Sequence, residues 1–152
     1  MKALVQRVKY ARVTINGEET RETGPGLLVL FGCATGDSLD ECRKLAEKTA
    51  NLRIFNDSED KMNLSALDLG LSAMVVSQFT LLADTKKGHR PSFIGAAKPP
   101  LAVDAYEEYV KVLSSLGLKE VKTGEFGADM QVEICNDGPV TVMLDTEEWK
   151  KR

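Results

Sequence analysis

The chain has 152 residues, a length typical of one domain with a substantial hydrophobic core, and we expect residues 1–152 to form a single domain. Its hydrophobic content of 43% and charged content of 28% indicate a globular protein and exclude a disordered one. No apolar run approaches the ~20 residues of a membrane span, and charges interrupt the apolar pattern at the N-terminus, so we predict neither a span nor a signal peptide. The net charge of −3, taken alone, argues against a nucleic-acid partner.

The first part of the chain is predicted to form three strands. Residues 4–15 are rich in Val and Ile and predict a long strand. Asn16-Gly17 is a type I′ turn signal, which leads to a polar return strand over residues 18–23. After the break at Gly24-Pro25-Gly26, residues 27–33 are continuously apolar, which predicts a strand buried on both faces.

Two helices are predicted from capping signals and apolar spacing. The first begins at Ser38, because Ser38 and Glu41 have the spacing of a capping box. The second begins at Pro100, which suits a first helical turn, and is capped by Gly117. The apolar faces comprise Leu39, Cys42, Leu45, Ala46, Thr49 and Leu52 in the first helix, and Ala105, Tyr109, Val112, Leu113 and Leu116 in the second.

Four more strands complete the predicted order. Residues 73–82 predict a central strand, and residues 120–123, 130–135 and 140–145 predict three further ones, whereas residues 54–71 give no clear pattern. The resulting order, β-β-β-α-β-α-β-β-β, is typical of a mixed α/β or α+β domain with a largely antiparallel sheet. It lacks the regular alternation of a Rossmann fold.

Metal, phosphate-loop and dinucleotide sites are disfavoured. Cys33, Cys42 and Cys135 form no CxxC pair and predict buried, reduced thiols in a cytoplasmic protein. The single histidine and the absence of an HExxH pattern argue against a zinc site. Neither GxxxxGK[ST] nor GxGxxG occurs, so we expect no metal and no cofactor.

Polar residues interrupt the central apolar run at SQFT, residues 77–80. In an extended strand, Ser77 and Phe79 face one side and Gln78 and Thr80 face the other. A buried polar cluster must satisfy its hydrogen bonds with backbone, a partner or a ligand. From the residues alone, the favoured interpretation is that the hydroxyls of Ser77 and Thr80 bond to local carbonyl groups while Phe79 packs in the core. A binding site is the alternative.

Residues 83–100 are predicted to form a long polar loop, and long loops in compact domains are usually functional. Four members of the loop, Lys86, Lys87, His89 and Arg90, fall within five residues. A solvated basic loop and a nucleic-acid contact are equally consistent with this composition. His89, the single histidine, is favoured as a surface or RNA-contacting residue over a catalytic one.

The segment NDGPVT, residues 136–141, places a proline between two predicted strands. Asn-Asp-Gly alone would make a hairpin turn, whereas Pro139 has no N–H to give to a strand ladder. From the residues alone, a trans Gly138-Pro139 bond in a rigid hairpin turn is the favoured interpretation.

Four segments together resemble those of the homodimeric D-aminoacyl-tRNA deacylases, and the similarity covers essentially the whole chain. They are QRV at residues 6–8, SQFTL at 77–81, RPSF at 90–93 and MQVEICNDGPVT at 130–141. The SQFTL and NDGPVT segments are specific in combination, although either alone would be a weak signal.

The resemblance implies an enzyme that hydrolyses the ester between a D-amino acid and the terminal adenosine of tRNA, and glycyl-tRNA (glycine mischarged on tRNA-Ala) as well. It implies a homodimer of barrel-like, largely antiparallel sheets with two main helices packed outside, in which the two motifs face each other across the dimer. In the family the bond corresponding to Gly138-Pro139 is cis. Its flanking carbonyls would exclude an L side chain and admit a D one.

Residue roles follow from the same resemblance. Gln78, Phe79 and Thr80 would form the catalytic wall, with Thr80 as polar support because no base lies near it in the sequence, and the 2′-hydroxyl of the tRNA and backbone amides would carry the chemistry. Arg7 would hold the Gly-Pro loop, which acts across the dimer, by hydrogen bonds to the backbone of that loop. The remaining substrate-binding residues implied by the resemblance are Ser77, Met130, Asn136, Gly138 and Pro139.

The implied partner is aminoacyl-tRNA, contacted at its 3′-terminal adenosine, with no membrane and no DNA expected. Lys86, Lys87, His89 and Arg90 would contact the tRNA, since a weakly acidic protein binds tRNA if positive charge rims the site. Asp129 departs from the family pattern, in which a small or apolar residue is usual at this position.

Three alternatives stay open at this point. One is a non-catalytic tRNA- or adenosine-binding dimeric module of the same fold. Another is a dimeric scaffold with SQFT as satisfied core, which leaves the basic loop and the Gly-Pro segment without a role. The third is an editing enzyme of the same fold that removes glycine or L-alanine from the wrong tRNA, although NDGPVT resembles the D-specific group.

Overall fold

One long strand near the N-terminus organises the sheet. The computed structural model describes residues 1–150. The strands are β1 (Lys2–Ile15), β2 (Glu19–Thr23), β3 (Gly26–Gly32), β4 (Phe55–Asn56), β5 (Met62–Leu64), β6 (Ser72–Ser77), β7 (Val121–Thr123) and β8 (Met130–Asp145). The helices are α1 (Leu39–Ala50), α2 (Ala66–Leu69), α3 (Leu101–Ser115) and α4 (Thr146–Lys150), with a 3₁₀ helix over Phe79–Leu82.

β1 is paired along both of its edges. One edge pairs antiparallel with β3 and then with β2, and the other edge pairs antiparallel with β8 over nearly its whole length. β6 continues the sheet in parallel with β3, and β7 in parallel with β6. Antiparallel pairs therefore predominate, as the sequence predicts, but the β3–β6–β7 part of the sheet is parallel, which the sequence pattern does not indicate.

The sheet curls until its outer strands meet. The guanidinium of Arg21 on β2 donates to the carbonyl oxygens of Thr123 and Gly124 beside β7, at 2.8 and 3.2 Å. Lys122 donates in return to the carbonyl oxygen of Glu22 at 2.8 Å. Side-chain hydrogen bonds thus connect β2 with β7, which share no backbone ladder, and the sheet forms a nearly closed barrel.

Alternation along the strands divides the apolar core into two layers. Leu27, Val29 and Phe31 of β3 face a layer shared with the helices, whereas Leu28 faces the barrel interior. β6 alternates in the same way, so both strands are buried on both faces, as the apolar run of residues 27–33 predicts. The barrel interior is filled by Val8, Ala11, Val13, Ile15, Leu28, Met74 and Val76.

The two main helices pack against each other and against the outer layer of the sheet. Ser38 caps α1 as predicted, with its hydroxyl accepting from the Glu41 amide at 3.2 Å. Phe31 of β3 stacks on Tyr109 of α3 with ring centroids 4.7 Å apart, and the Tyr109 hydroxyl donates to Thr49 of α1 at 2.7 Å. Both helices are thus fixed to each other and to β3. The predicted fold class, a mixed α/β domain with two main helices outside a barrel-like sheet, is confirmed.

Several predicted boundaries are wrong. The strand predicted over residues 73–82 ends at Ser77 and is followed by a 3₁₀ helix. The two strands predicted over residues 130–135 and 140–145 are parts of one strand, β8. The unassigned residues 54–71 form the short β4–β5 hairpin and α2, which has a capping box between Ser65 and Asp68. Within residues 1–150, no helix is long and apolar enough to cross a membrane.

Candidate active site

A cavity of about 510 Å³ opens where the parallel strands β3 and β6 end. The carboxyl ends of adjacent parallel strands are a common place for ligand sites, because the chain turns away there and leaves a crevice. Four of the residues predicted for the site, Ser77, Gln78, Phe79 and Met130, line this cavity. The other lining residues are Phe31, Gly32, Cys33, Val76, Ala97, Lys98, Pro99, Ala102, Phe126, Gly127, Ala128, Asp129 and Val132.

The 3₁₀ helix puts backbone donors at the cavity wall. The Gln78 amide makes a last sheet-like bond to the Phe31 carbonyl oxygen at 2.7 Å, after which the chain turns and the Leu81 amide donates back to Gln78 at 3.2 Å. The first N–H groups of a helix have no acceptor inside it. Those of Phe79 and Thr80 are therefore available to an external acceptor, such as the carbonyl oxygen of an ester.

Gly32 allows this turn to pack closely on β3. A Cβ at position 32 would lie 2.6 Å from the Cδ2 of Leu82 and 2.9 Å from the carbonyl oxygen of Gln78. Any larger residue would therefore push the 3₁₀ helix away from the strand. The prediction that side chains of SQFT alternate along a strand is consequently wrong beyond Ser77, because Phe79 and Thr80 belong to a helix.

The polar side chains of SQFT contact each other. The Nε2 of Gln78 donates to the hydroxyl of Thr80 at 2.5 Å. Gln78 lines the cavity, whereas Thr80 is exposed and is not among its lining residues. Thr80 thus holds the carboxamide of Gln78.

The side chains around the cavity offer no activated nucleophile. Burial raises the pKa of the Cys33 thiol to about 11, so this lining residue is protonated near neutral pH. His89 makes no hydrogen bond or ion pair with Gln78 or Thr80 in the described part of the chain. A threonine hydroxyl without a base is a weak nucleophile, so the arrangement favours backbone electrostatics over covalent catalysis by the protein.

The NDGPVT segment forms a large bulge in β8. Gln6 pairs with Thr141 and Val8 pairs with Asn136, so four residues of β8 lie opposite the single residue Arg7. The bulge projects Gly138 and Pro139 into solvent, and their peptide bond is cis. The hairpin turn with a trans bond that the residues alone favour is therefore wrong, and the cis bond implied by the resemblance is present.

Two side chains hold this bulge. The Asn136 side chain accepts from the Val140 amide at 2.8 Å and donates to the Val140 carbonyl oxygen at 3.2 Å, which closes the loop on itself. The Nε of Arg7 donates to the carbonyl oxygen of Asp137 at 2.8 Å, while its Nη1 donates to that of Ile54 at 2.8 Å. Arg7 thus joins the bulge to the segment that leads into β4.

The bulge and the cavity are separate within one chain. Arg7, Asn136, Gly138 and Pro139 are absent from the cavity lining, whereas Met130, at the other end of the same strand, belongs to it. One copy of the chain therefore presents two exposed motifs that do not meet.

The basic residues lie on a closed loop beside the cavity. Backbone bonds between Asp84 and Ser92, of 2.7 and 2.9 Å, tie its two ends together. Lys86, Lys87 and Arg90 are exposed between them and form no ion pair with any residue from 1 to 150. These three charges are therefore available to a phosphate backbone.

The sequence pattern did not indicate Lys98 and Phe126 as site residues. Lys98 belongs to the same long loop as the predicted basic residues but lies outside their cluster, and its position before two prolines at the start of α3 brings it to the cavity. Phe126 and Asp129 come from the turn before β8. Cys135 is half-buried, so the prediction of three buried thiols is wrong for this residue.

Solved structures share the whole fold. One, described as "c-Myc DNA Unwinding Element Binding Protein", superposes with a TM-score of 0.89 at 39% identity and covers 95% of this chain and 98% of its own. Another, from a structural analysis of a probable eukaryotic D-amino acid tRNA deacylase, superposes with a TM-score of 0.84 at 13% identity over 94% of this chain and 97% of its own. The class defined by the fold is therefore a barrel-like α/β domain, which this chain shares with both structures over nearly its whole length.

Curated relatives define the family. Proteins named D-aminoacyl-tRNA deacylase from Fusobacterium nucleatum, Deinococcus radiodurans and Dehalococcoides mccartyi are 51%, 55% and 53% identical to this chain. The alignments cover 97%, 95% and 97% of this chain and 97%, 99% and 96% of the relatives. The family model for D-Tyr-tRNA(Tyr) deacylase matches residues 4–145. The chain belongs to this family, and the resemblance seen in the sequence is confirmed.

Proposed function

We propose that this protein hydrolyses the ester between a D-amino acid and the 3′-terminal adenosine of tRNA, releasing free D-amino acid and tRNA. The observation that carries this proposal is the cavity at the ends of β3 and β6, whose wall contains Ser77, Gln78 and Phe79. The family match over residues 4–145 supports the same reaction.

The cavity suits a nucleoside. Its volume of about 510 Å³ lies within the usual range for small-molecule sites. Phe126, Val132 and Met130 supply apolar lining for a flat base, and the carboxylate of Asp129 lies at the wall. We place the terminal adenosine in this cavity, with its esterified ribose towards the 3₁₀ helix.

The reaction then depends on donors fixed by the backbone. The amides of Phe79 and Thr80 begin the 3₁₀ helix and have no acceptor within it, so they can stabilise the negative charge that develops on the ester carbonyl oxygen. Gln78, held by Thr80, orients the ester or the attacking water. The adjacent 2′-hydroxyl of the tRNA assists the attack, which removes the need for a nucleophile on the protein.

Selection of the D form is assigned to the bulge of a second subunit. Gly138 and Pro139 are exposed on a loop held by Asn136 and Arg7, and this loop lies outside the cavity of its own chain. In a homodimer the loop of one subunit covers the aminoacyl end of the other subunit's cavity. Its backbone excludes an L side chain but not a D side chain or glycine, so glycyl-tRNA is also a substrate.

The first test compares the hydrolysis of D-Tyr-tRNA, L-Tyr-tRNA and Gly-tRNA by the purified protein. We expect cleavage of the D and glycyl esters only, and retention of most of the rate by Thr80→Ala, since Thr80 only supports Gln78. Tight tRNA binding without cleavage of any ester would instead identify a non-catalytic tRNA-binding module. Loss of the rate by several orders of magnitude in Thr80→Ala would identify Thr80 as the nucleophile.

Mixed subunits test the shared site. Gly138→Ala is expected to distort the loop and to abolish the exclusion of L-Tyr-tRNA, because the residue has φ 138° and a Cβ would lie 2.9 Å from Val140 and 3.0 Å from Arg7. A Gln78→Ala subunit combined with a Gly138→Ala subunit would contain one intact site if each site uses both chains. Recovery of selectivity for D-Tyr-tRNA on mixing is therefore expected, and its absence would indicate that each site uses the loop of its own chain.

A further inference from the structure

An exposed aromatic pair lies beside the cavity. The rings of Phe79 and Phe93 meet edge to face, with centroids 5.2 Å apart and an interplanar angle of 76°. Phe79 lines the cavity but is 55% exposed, and Phe93 is 36% exposed. The pair therefore extends the apolar surface of the cavity outward.

Backbone bonds fix the position of this pair. Phe93 directly follows Ser92, whose amide and carbonyl oxygen both bond to Asp84. The carbonyl oxygen of Phe93 accepts from the Ala96 amide at 3.1 Å. The amide of Ala97 donates to the carbonyl oxygen of Cys33 at 2.9 Å. The Phe93 ring is thus presented on a segment anchored at both ends, and its exposure is not that of a loose loop tip.

The surroundings of the pair are positively charged on an acidic protein. Residues 83–100 contain four of the twenty Lys and Arg and one of the twenty-three Asp and Glu, which gives this segment a net charge of +3 against −6 for the rest. Lys98 lines the cavity, and Lys86, Lys87 and Arg90 extend from the closed loop. Phosphate groups on either side of a base would neutralise these charges.

We propose that the Phe79–Phe93 pair is a stacking platform for the base of the nucleotide immediately 5′ to the terminal adenosine. This proposal depends on the proposed function, which puts the adenosine in the adjoining cavity. Proteins bind single-stranded RNA by combining aromatic side chains that stack on bases with cations that follow the backbone, and both are present here. Four cations and a single carboxylate in residues 83–100 match a polyanion such as an RNA backbone, so the occupant we assign to this surface is RNA.

The test is a thermodynamic cycle in which the RNA base and the Phe93 ring are removed separately and together. Uncharged RNA hairpins with a single-stranded 3′ end are compared with hairpins that carry an abasic ribose at the position before the terminal adenosine. Stacking on an aromatic ring contributes about 1–3 kcal/mol per base, so the wild type should bind the abasic RNA at least about fivefold more weakly. Phe93→Ala should bind the intact RNA weakly and should not distinguish the two RNAs.

Ile94→Ala is the matched control, because Ile94 is adjacent to Phe93 and 90% exposed but makes no ring contact with Phe79. It should retain the discrimination between the two RNAs. Equal discrimination by the wild type and Phe93→Ala, or no binding of intact RNA by the wild type, would overturn the platform. A fall in molar mass of Phe93→Ala in light scattering would also overturn it, since a second copy would then cover the pair.

Deacylation separates this proposal from the proposed function. The same hairpins charged with D-Tyr are expected to show the same dependence in kcat/KM. Cleavage by the wild type without any dependence on the preceding base would refute only the platform. Failure to release D-Tyr from either hairpin would refute the proposed function. The binding cycle with uncharged RNA would still decide whether the aromatic pair stacks on a base.

Discussion

Replacing Asn136 by alanine should release the bulge that carries Gly138 and Pro139. The side chain makes three hydrogen bonds, two with the backbone of Val140 and one with the hydroxyl of Thr141. A typical intramolecular hydrogen bond contributes about 1 kcal/mol net, and the bond to Thr141 is exposed, so the expected loss of stability is about 2 kcal/mol. For a chain of this length, that corresponds to a fall in Tm of about 4–8 °C.

The loss of selectivity between the two esters should be larger than the loss of stability alone would cause. A freed bulge no longer holds its backbone against the aminoacyl group, so hydrolysis of L-Tyr-tRNA should rise relative to D-Tyr-tRNA. Thermal unfolding followed by circular dichroism and the ratio of the two kcat/KM values measure the two effects. Thr141→Val is the graded control, because it removes only the exposed contact to Asn136 together with one from Gln6. An Asn136→Ala protein with unchanged Tm and unchanged selectivity would refute this account of the clamp.

Three further predictions concern the barrel seam, the thiols and the core. Arg21→Ala should lower Tm by about 2–8 °C, since it removes about 1–2 kcal/mol of partly exposed bonds across the seam, and an unchanged Tm would mean that packing alone closes the sheet. Alkylation of the folded protein at pH 8, read by peptide mass spectrometry, should modify Cys135 and spare Cys33 and Cys42, because both are buried with pKa values raised by that burial to about 11 and about 12. Tyr109→Phe keeps the ring stacking but removes one buried hydrogen bond, so it should lower Tm by about 2–4 °C, and a larger fall would indicate repacking of α1.

Local signals located the helices and most of the strands. The Ser38 cap and the apolar spacing of both helices depend on residues within one or two turns, so the sequence contains them directly. The end of β6 was mispredicted for the opposite reason. Leu81 and Leu82 continue the apolar run, and the feature that favours a 3₁₀ helix is the close approach allowed by Gly32, a residue far away in the chain.

The bulge shows the same limit. Asn-Asp-Gly favours a reversal of the chain, and β8 continues instead because β1 runs beside it on both sides of Arg7. Which of these forms is adopted depends on a strand at the other end of the sequence.

The candidate site could be predicted only in part. The motif resemblance indicated Ser77, Gln78, Phe79 and Met130, which do line one cavity. Lys98 and Phe126 had no sequence signal of their own, because they come from two separate loops that meet only in the folded protein.

The double pairing of β1 also affects how the chain acquires its structure. The strand that fills the outer edge of β1 is β8, so the largest set of contacts joins the two ends of the sequence. Contacts of such long sequence separation form slowly, because closing a loop of this length costs conformational entropy before the contacts stabilise it. During synthesis on the ribosome, the outer edge of β1 therefore stays unpaired until β8 has emerged. In that interval it is open to strands of other chains, so early capture by a chaperone would favour the correct partner.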